Sequence, residues 1–204
     1  MSQIASWSST CESGGCGNGS TVASLLIPNS TNNGSAFNGG IGLATAPANP
    51  PGGGNIVAID GDPTYTATIS QVIAGLTVGT NYTLSFYQAA GEQSGFDTAT
   101  TEHWSVTFGG GAAQSSTVMN NTPAGFVAWA QQNMTFTATA VSETLTFAAL
   151  GTPPTGAPPV VLLSDVSLTA VPEPAGVAVL GFGLALLFVA RRNRASGGDG
   201  TLAG

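Results

Sequence analysis

The chain has 204 residues, of which 42% are hydrophobic and only 6% charged, and its formal net charge is −7. That length suits one domain of ordinary size with additional segments, and the charged fraction lies far below the ~25% usual for soluble domains. Residues 1–170 carry Glu12, Asp60, Asp62, Glu92, Asp97, Glu102, Glu143 and Asp165 but no lysine or arginine, so the body cannot neutralise phosphates; this argues against nucleic acid and against anionic substrates.

Residues 1–20 read as a flexible N-terminal segment. They contain the only two cysteines, Cys11 and Cys16, in CESGGC; the spacing admits a zinc half-site or a short-loop disulfide. Their first seventeen residues have neither a basic nor an apolar leader region, so an in-frame extension upstream of Met1 is expected if the body is exported.

Residues 21–170 read as a β-sandwich ectodomain. TVASLLIP is a candidate first strand, followed by GNIVAID and TATISQVI. NYTLSFYQAA alternates Tyr82, Leu84 and Phe86 against Thr83, Ser85 and Tyr87. HWSVTFG sets Trp104, Val106 and Phe108 against His103, Ser105 and Thr107, and NMTFTATA, ETLTFAA and VVLLSDVSLTA continue the pattern. Period-2 alternation with β-branched residues is the mark of half-buried antiparallel strands. Gly, Pro and Asn clusters divide the strands, and no apolar 3.6-residue period occurs before residue 171. The fold class is therefore all-β, an antiparallel sandwich or jelly roll.

Chemistry-bearing residues are few. His103 is the only histidine, and strand alternation puts it on the solvent side, opposite Trp104. GEQSGFDTATTEH reads as a long loop holding Glu92, Asp97 and Glu102. Two such carboxylates across a cleft could hydrolyse a glycosidic bond, the alternative to a purely binding role. Tyr87, Phe96 and Trp129 are candidate platforms for the apolar faces of sugars, whereas Trp104 belongs to the core by alternation. The glycine runs 52–54 and 109–111 precede no helix and no lysine, so they are turns rather than phosphate cradles.

The last segment differs from the rest. Ala175–Ala190 is purely apolar or glycine and is followed by Arg191, Arg192 and Arg194, the only basic residues of the chain. Sixteen helical residues reach ~24 Å, short of a ~30 Å hydrocarbon core, a gap that flanking residues and bilayer thinning can close. Arginines after such a run mark its cytoplasmic side. One transmembrane helix at 175–190 is expected, with residues 1–170 outside the cytoplasm and 195–204 a disordered tail.

Pro172-Glu173-Pro174, the apolar run and the arginine cluster, in that order at the end of the chain, resemble the PEP-CTERM sorting signal, here 171–194. The resemblance implies a bacterial envelope protein, anchored in the membrane before processing by an exosortase-type enzyme and then placed at the cell surface or outside it, in producers of exopolysaccharide. Two prolines keep the tripeptide extended and out of the helix, where an enzyme could read it. In an exported chain, a Cys11–Cys16 disulfide becomes the expected pairing.

The order of GDPTYTATISQVIAGLTVGTNYTLSFYQAAGEQSGF, TTEHWSVTFGG, FTATAVSETLTFAAL and LLSDVSLTAVPEP resembles galactose-binding-like jelly rolls used as carbohydrate-binding modules, over roughly residues 54–171. This likeness implies a neutral polysaccharide as partner. It also implies a structural calcium near the first and last strands, for which Asp60, Asp62 and Asp165 supply oxygens; turn formation by Asp-Gly and Asp-Pro accounts equally for the first two. The expected protein is non-enzymatic, exported, and binds or organises neutral polysaccharide.

Overall fold

The computed structural model describes residues 7–9, 42–54, 56–63, 65, 67–154 and 156–172, together with the backbone of 23–26. Cys11, Cys16, Glu173, Pro174, the apolar run 175–190 and the three arginines lie outside the described residues. Met1–Ala170 forms one compact unit and Val171–Gly204 a separate one.

Within the first unit the described elements are all strands: β1 Ser8–Ser9, β2 Ala23–Leu26, β3 Ile56–Asp60, β4 Thr68–Ala74, β5 Asn81–Glu92, β6 Thr100–Phe108, β7 Gln114–Ser115, β8 Met119–Asn121, β9 Phe126–Thr137, β10 Ser142–Thr152 and β11 Pro159–Ala170. They build two antiparallel sheets. One has the order β1-β4-β10-β6-β7 with β8 also paired to β6, and the other has the order β2-β3-β11-β5-β9. From β3 to β6, and again from β9 to β11, each successive strand crosses to the opposite sheet, the chain path of a jelly-roll sandwich. The fold class expected from alternation is the one observed.

The alternation explains the layers. On β6, Thr100, Glu102, Trp104, Val106 and Phe108 are buried while the residues between them are half-exposed. Leu84 and Phe86 of β5, Met134 and Phe136 of β9, and Leu145 and Phe147 of β10 fill the same interlayer space. Phe147 sits at its centre, edge-on to Phe86 (5.1 Å) and Trp104 (5.8 Å), an arrangement favoured by the ring quadrupoles. The Trp104 indole N–H donates across the gap to the Leu162 carbonyl at 3.2 Å. The sheets are thus joined by packing and by a satisfied polar group.

Three features depart from the sequence expectations. The N-terminal segment, read as flexible, contributes Ser8–Ser9 as a strand beside Ser70 and Ile69, with Trp7 packed on Phe147 at 6.0 Å. Residues 42–50, left outside any strand, cross the outer face of the second sheet. There Leu43 closes a second core with Ile56, Ala58, Ala89, Val160 and Leu162. A side chain at position 91 would meet Leu43 at 3.2 Å, so Gly91 is what lets this strap lie flat. Finally, β9 begins at Phe126, seven residues earlier than its clean alternation, with Phe126 and Trp129 packed against the Leu43 core.

Candidate functional site

Beyond the strap, the outer face of β11, β5 and β9 is open. Tyr87 lies at its centre, paired with Ser164 on β11 and Gln131 on β9. The next rungs bring Ser85 between Ser167 and Asn133, and Thr83 between Thr169 and Thr135. These residues alternate with the buried Leu84, Phe86, Met134 and Phe136, so their side chains stand on the opposite side, where all but the buried Ser164 reach solvent. From Thr83 to Tyr87 the strip runs roughly 14 Å along the strands. It is a surface of hydroxyls and amides around one aromatic ring.

Beside this strip β11 carries a β-bulge. The β11–β5 register shifts between Ser164 and Ser167, and Asp165 adopts φ 53. The bulge sets Asp165 and Val166 together opposite the buried Phe86, and Val166 packs against the core. A left-handed backbone at a residue other than glycine costs on the order of 1–2 kcal/mol. The Gly52 N–H donates to Asp165 Oδ2 at 2.8 Å and holds it. A Cβ at position 52 would stand 2.1 Å from Oδ1, so only glycine admits this contact. Beside the bulge opens a cavity of about 230 Å³ lined by Trp7, Val57, Ile69, Leu163 and Asp165 among others.

Trp129 borders the same face. It is half-buried, its indole N–H donates to the Ala48 carbonyl at 2.9 Å, and its ring meets Phe126 edge-on at 6.5 Å. It therefore secures the strap and leaves part of its ring at the edge of the strip. Of the sequence-selected residues, the fold brings Tyr87 and Trp129 to one surface, while Asp165 lies at the bulge beside the cavity. Phe96 sits in the turn after β5, half-buried, its N–H bonded to the Gln93 carbonyl at 3.3 Å. Gln131, Asn133, Ser85 and Ser167 were not singled out; alternation alone could have placed them beside Tyr87, but the strand order was needed to bring them together.

The calcium set does not assemble. Asp60 pairs with Val160 at one end of the β3–β11 ladder, and Asp165 lies five residues further along β11, past Leu163 opposite Val57. At strand rise that is about 16 Å. Asp60 instead accepts the Asp62 N–H at 2.8 Å, as an aspartate turn does. Burial, with the Asp62 charge nearby, raises its pKa to about 6 despite that hydrogen bond. Among the described residues no group of three or more His, Cys, Asp or Glu could hold a metal ion.

The expected loop of carboxylates is also corrected. Glu92 is the last residue of β5 and Glu102 lies in β6; both are fully buried between the sheets because the strands run further than their apolar alternation. Only Asp97 remains in the exposed loop. Glu92 accepts the Thr98 N–H at 2.8 Å and the Ala124 N–H. Glu102 accepts the Thr100 hydroxyl, and burial pushes its pKa up to about 8, helped by the charge of Glu92. His103 is half-buried rather than open to solvent, and burial lowers its pKa.

No protein-family model matches the chain, and no curated protein does. Solved structures similar to it include the K1 adhesin domain of Lys-gingipain from Porphyromonas gingivalis W83, at 13% identity over 83% of this chain and 93% of that one (TM-score 0.47). The C-terminal family 22 carbohydrate-binding module of Clostridium thermocellum Xyn10B is similar at 10% identity over 83% and 90% (TM-score 0.43). A CBM4 structure is similar at 17% identity over 57% and 70% (TM-score 0.35). The likeness lies in the β-sandwich fold.

Proposed function

We propose that this protein is a non-enzymatic, exported module that holds neutral polysaccharide on the outer face of β11, β5 and β9, at the cell surface or in the extracellular matrix. The observation that carries the reading is the make-up of that face: Tyr87 among Ser85, Ser167, Gln131 and Asn133, with no charged side chain in those rungs. Such a surface offers a ring for the C–H faces of sugars and neutral donors and acceptors for their hydroxyls. It offers nothing that favours an anion.

A hydrolase would need two carboxylates flanking an open cleft, within roughly 10 Å of each other. Two of the three acids considered for that role, Glu92 and Glu102, are sealed in the interior. The tail supports the rest of the proposal. Pro172-Glu173-Pro174, the apolar run and the arginines would anchor the chain until an exosortase-type enzyme processes it. The compact unit ends at Ala170, immediately before this segment, as release of a folded body requires.

A glycan array on residues 1–170, scored for both retention and product release, tests the proposal. Retention of neutral glucans, xylans or galactans without product supports it. Release of shorter sugars, or retention of anionic glycans alone, would overturn it.

A further inference from the structure

One end of the sandwich buries two carboxylates that no cation among the described residues neutralises. Glu92 and Glu102 are both 0% exposed. They come from opposite sheets but lie level with each other: Glu102 pairs with Gly151 on β10, Glu92 pairs with Pro159 on β11, and a Cβ at Gly151 would meet the Pro159 ring at 2.6 Å. No lysine or arginine occurs before residue 171. His103, on the same strand as Glu102, belongs to the alternate set of half-exposed residues.

Glu102 Oε2 has no hydrogen-bond partner. Neither protonation state repairs this. An ionised carboxylate leaves a buried charge without a donor, beside a second carboxylate. A protonated one can donate from Oε1 to the Thr100 hydroxyl oxygen, but still leaves Oε2 a buried carbonyl oxygen without a donor. Each oxygen of Glu92 already accepts one backbone N–H and keeps a second lone pair. Glu102 Oε1 likewise accepts only the Thr100 hydroxyl, whose oxygen is also a potential ligand.

We infer that Glu92, Glu102 and Thr100 form the protein-side ligands of a calcium site between the two sheets, distinct from the polysaccharide face. An all-oxygen set with two carboxylates is the donor chemistry of a hard cation, and calcium tolerates irregular geometry where magnesium does not. The ion would remove both the orphaned oxygen and the repulsion between the acids. It would also secure the loops that Glu92 holds, through the N–H groups of Thr98 and Ala124 and through its own carbonyl, which accepts the Ala44 N–H at 2.9 Å.

The test is thermal unfolding of the chelator-stripped protein with calcium added alone, and with magnesium alone. Saturating calcium should raise Tm by roughly 5 °C or more, as binding to the native state at a hundred times Kd does for a chain of this size. Glu102→Gln should remove that response, while Asp60→Asn and Asp165→Asn keep it. Terbium emission excited through Trp104, two residues from Glu102 on the same face, gives a second readout that calcium should quench by displacement. An unchanged Tm, as expected if the gap holds only a water, overturns the inference. So does a calcium response that survives in Glu102→Gln. Should that variant fail to fold, loss of terbium emission in Thr100→Val decides in favour and its persistence decides against.

Discussion

Asp60→Asn should make the protein more stable at neutral pH and leave it unchanged in acid. In the folded chain Asp60 is buried and its pKa rises from 3.8 to about 6. Between those values the native state keeps a proton that the unfolded state has released, so stability falls as pH rises from about 4 to 6 and is level above. At 1.36 kcal/mol per pH unit the loss amounts to about 3 kcal/mol. Asparagine presents the same oxygen to the Asp62 N–H, so the turn at 60–62 persists. Urea unfolding of both proteins at pH 4, 5, 6 and 7.5 measures the difference directly. Glu102 titrates in both and cancels. The expected advantage of the variant is near zero at pH 4 and about 2–3 kcal/mol at pH 7.5. A difference that does not change with pH, or a variant less stable at pH 7.5, would refute the argument that burial governs this carboxyl.

Three further outcomes follow from the packing and the tail. Phe147→Ala removes the ring shared by Phe86, Trp104 and Trp7 and should cost about 3–5 kcal/mol in chemical denaturation. Gly52→Ala should displace the Asp165 carboxylate and cost about 1–2 kcal/mol in chemical denaturation, whereas Asp165→Asn, which keeps an acceptor for the Gly52 N–H, should cost less. Glu173→Ala should leave membrane insertion intact but block processing in a host carrying an exosortase, read by fractionation and intact mass; processing like that of the parent would count against the sorting role.

Much of the sandwich was legible because most strands have one apolar face and one that carries hydroxyls. Trp104, Val106 and Phe108, for example, declare their side of β6 without any knowledge of neighbours. Three kinds of feature were not. Residues 42–50 have no period, since they hold the sheet through single contacts such as Leu43 over Gly91 and Ala48 beneath Trp129. Glu92 and Glu102 are polar residues at buried strand positions, where composition points to a loop. The bulge at Asp165 moves one residue from one face to the other, and strict alternation cannot register that shift. Tyr87 and Trp129 were recognisable as aromatic candidates, but their neighbours come from strands far apart in sequence, and only the pairing of β11, β5 and β9 makes a site of them.

The most direct measurement is affinity electrophoresis of residues 1–170 through gels containing neutral polysaccharides, with Tyr87→Ala and Gln131→Ala on the proposed face and Thr144→Ala on the outward side of β10 in the other sheet. Removing a central aromatic anchor should weaken binding about tenfold or more, equivalent to about 1.4 kcal/mol. The account predicts that loss for Tyr87→Ala, a smaller loss for Gln131→Ala and none for Thr144→Ala. Retardation unchanged in Tyr87→Ala, or reduced equally by Thr144→Ala, would contradict it.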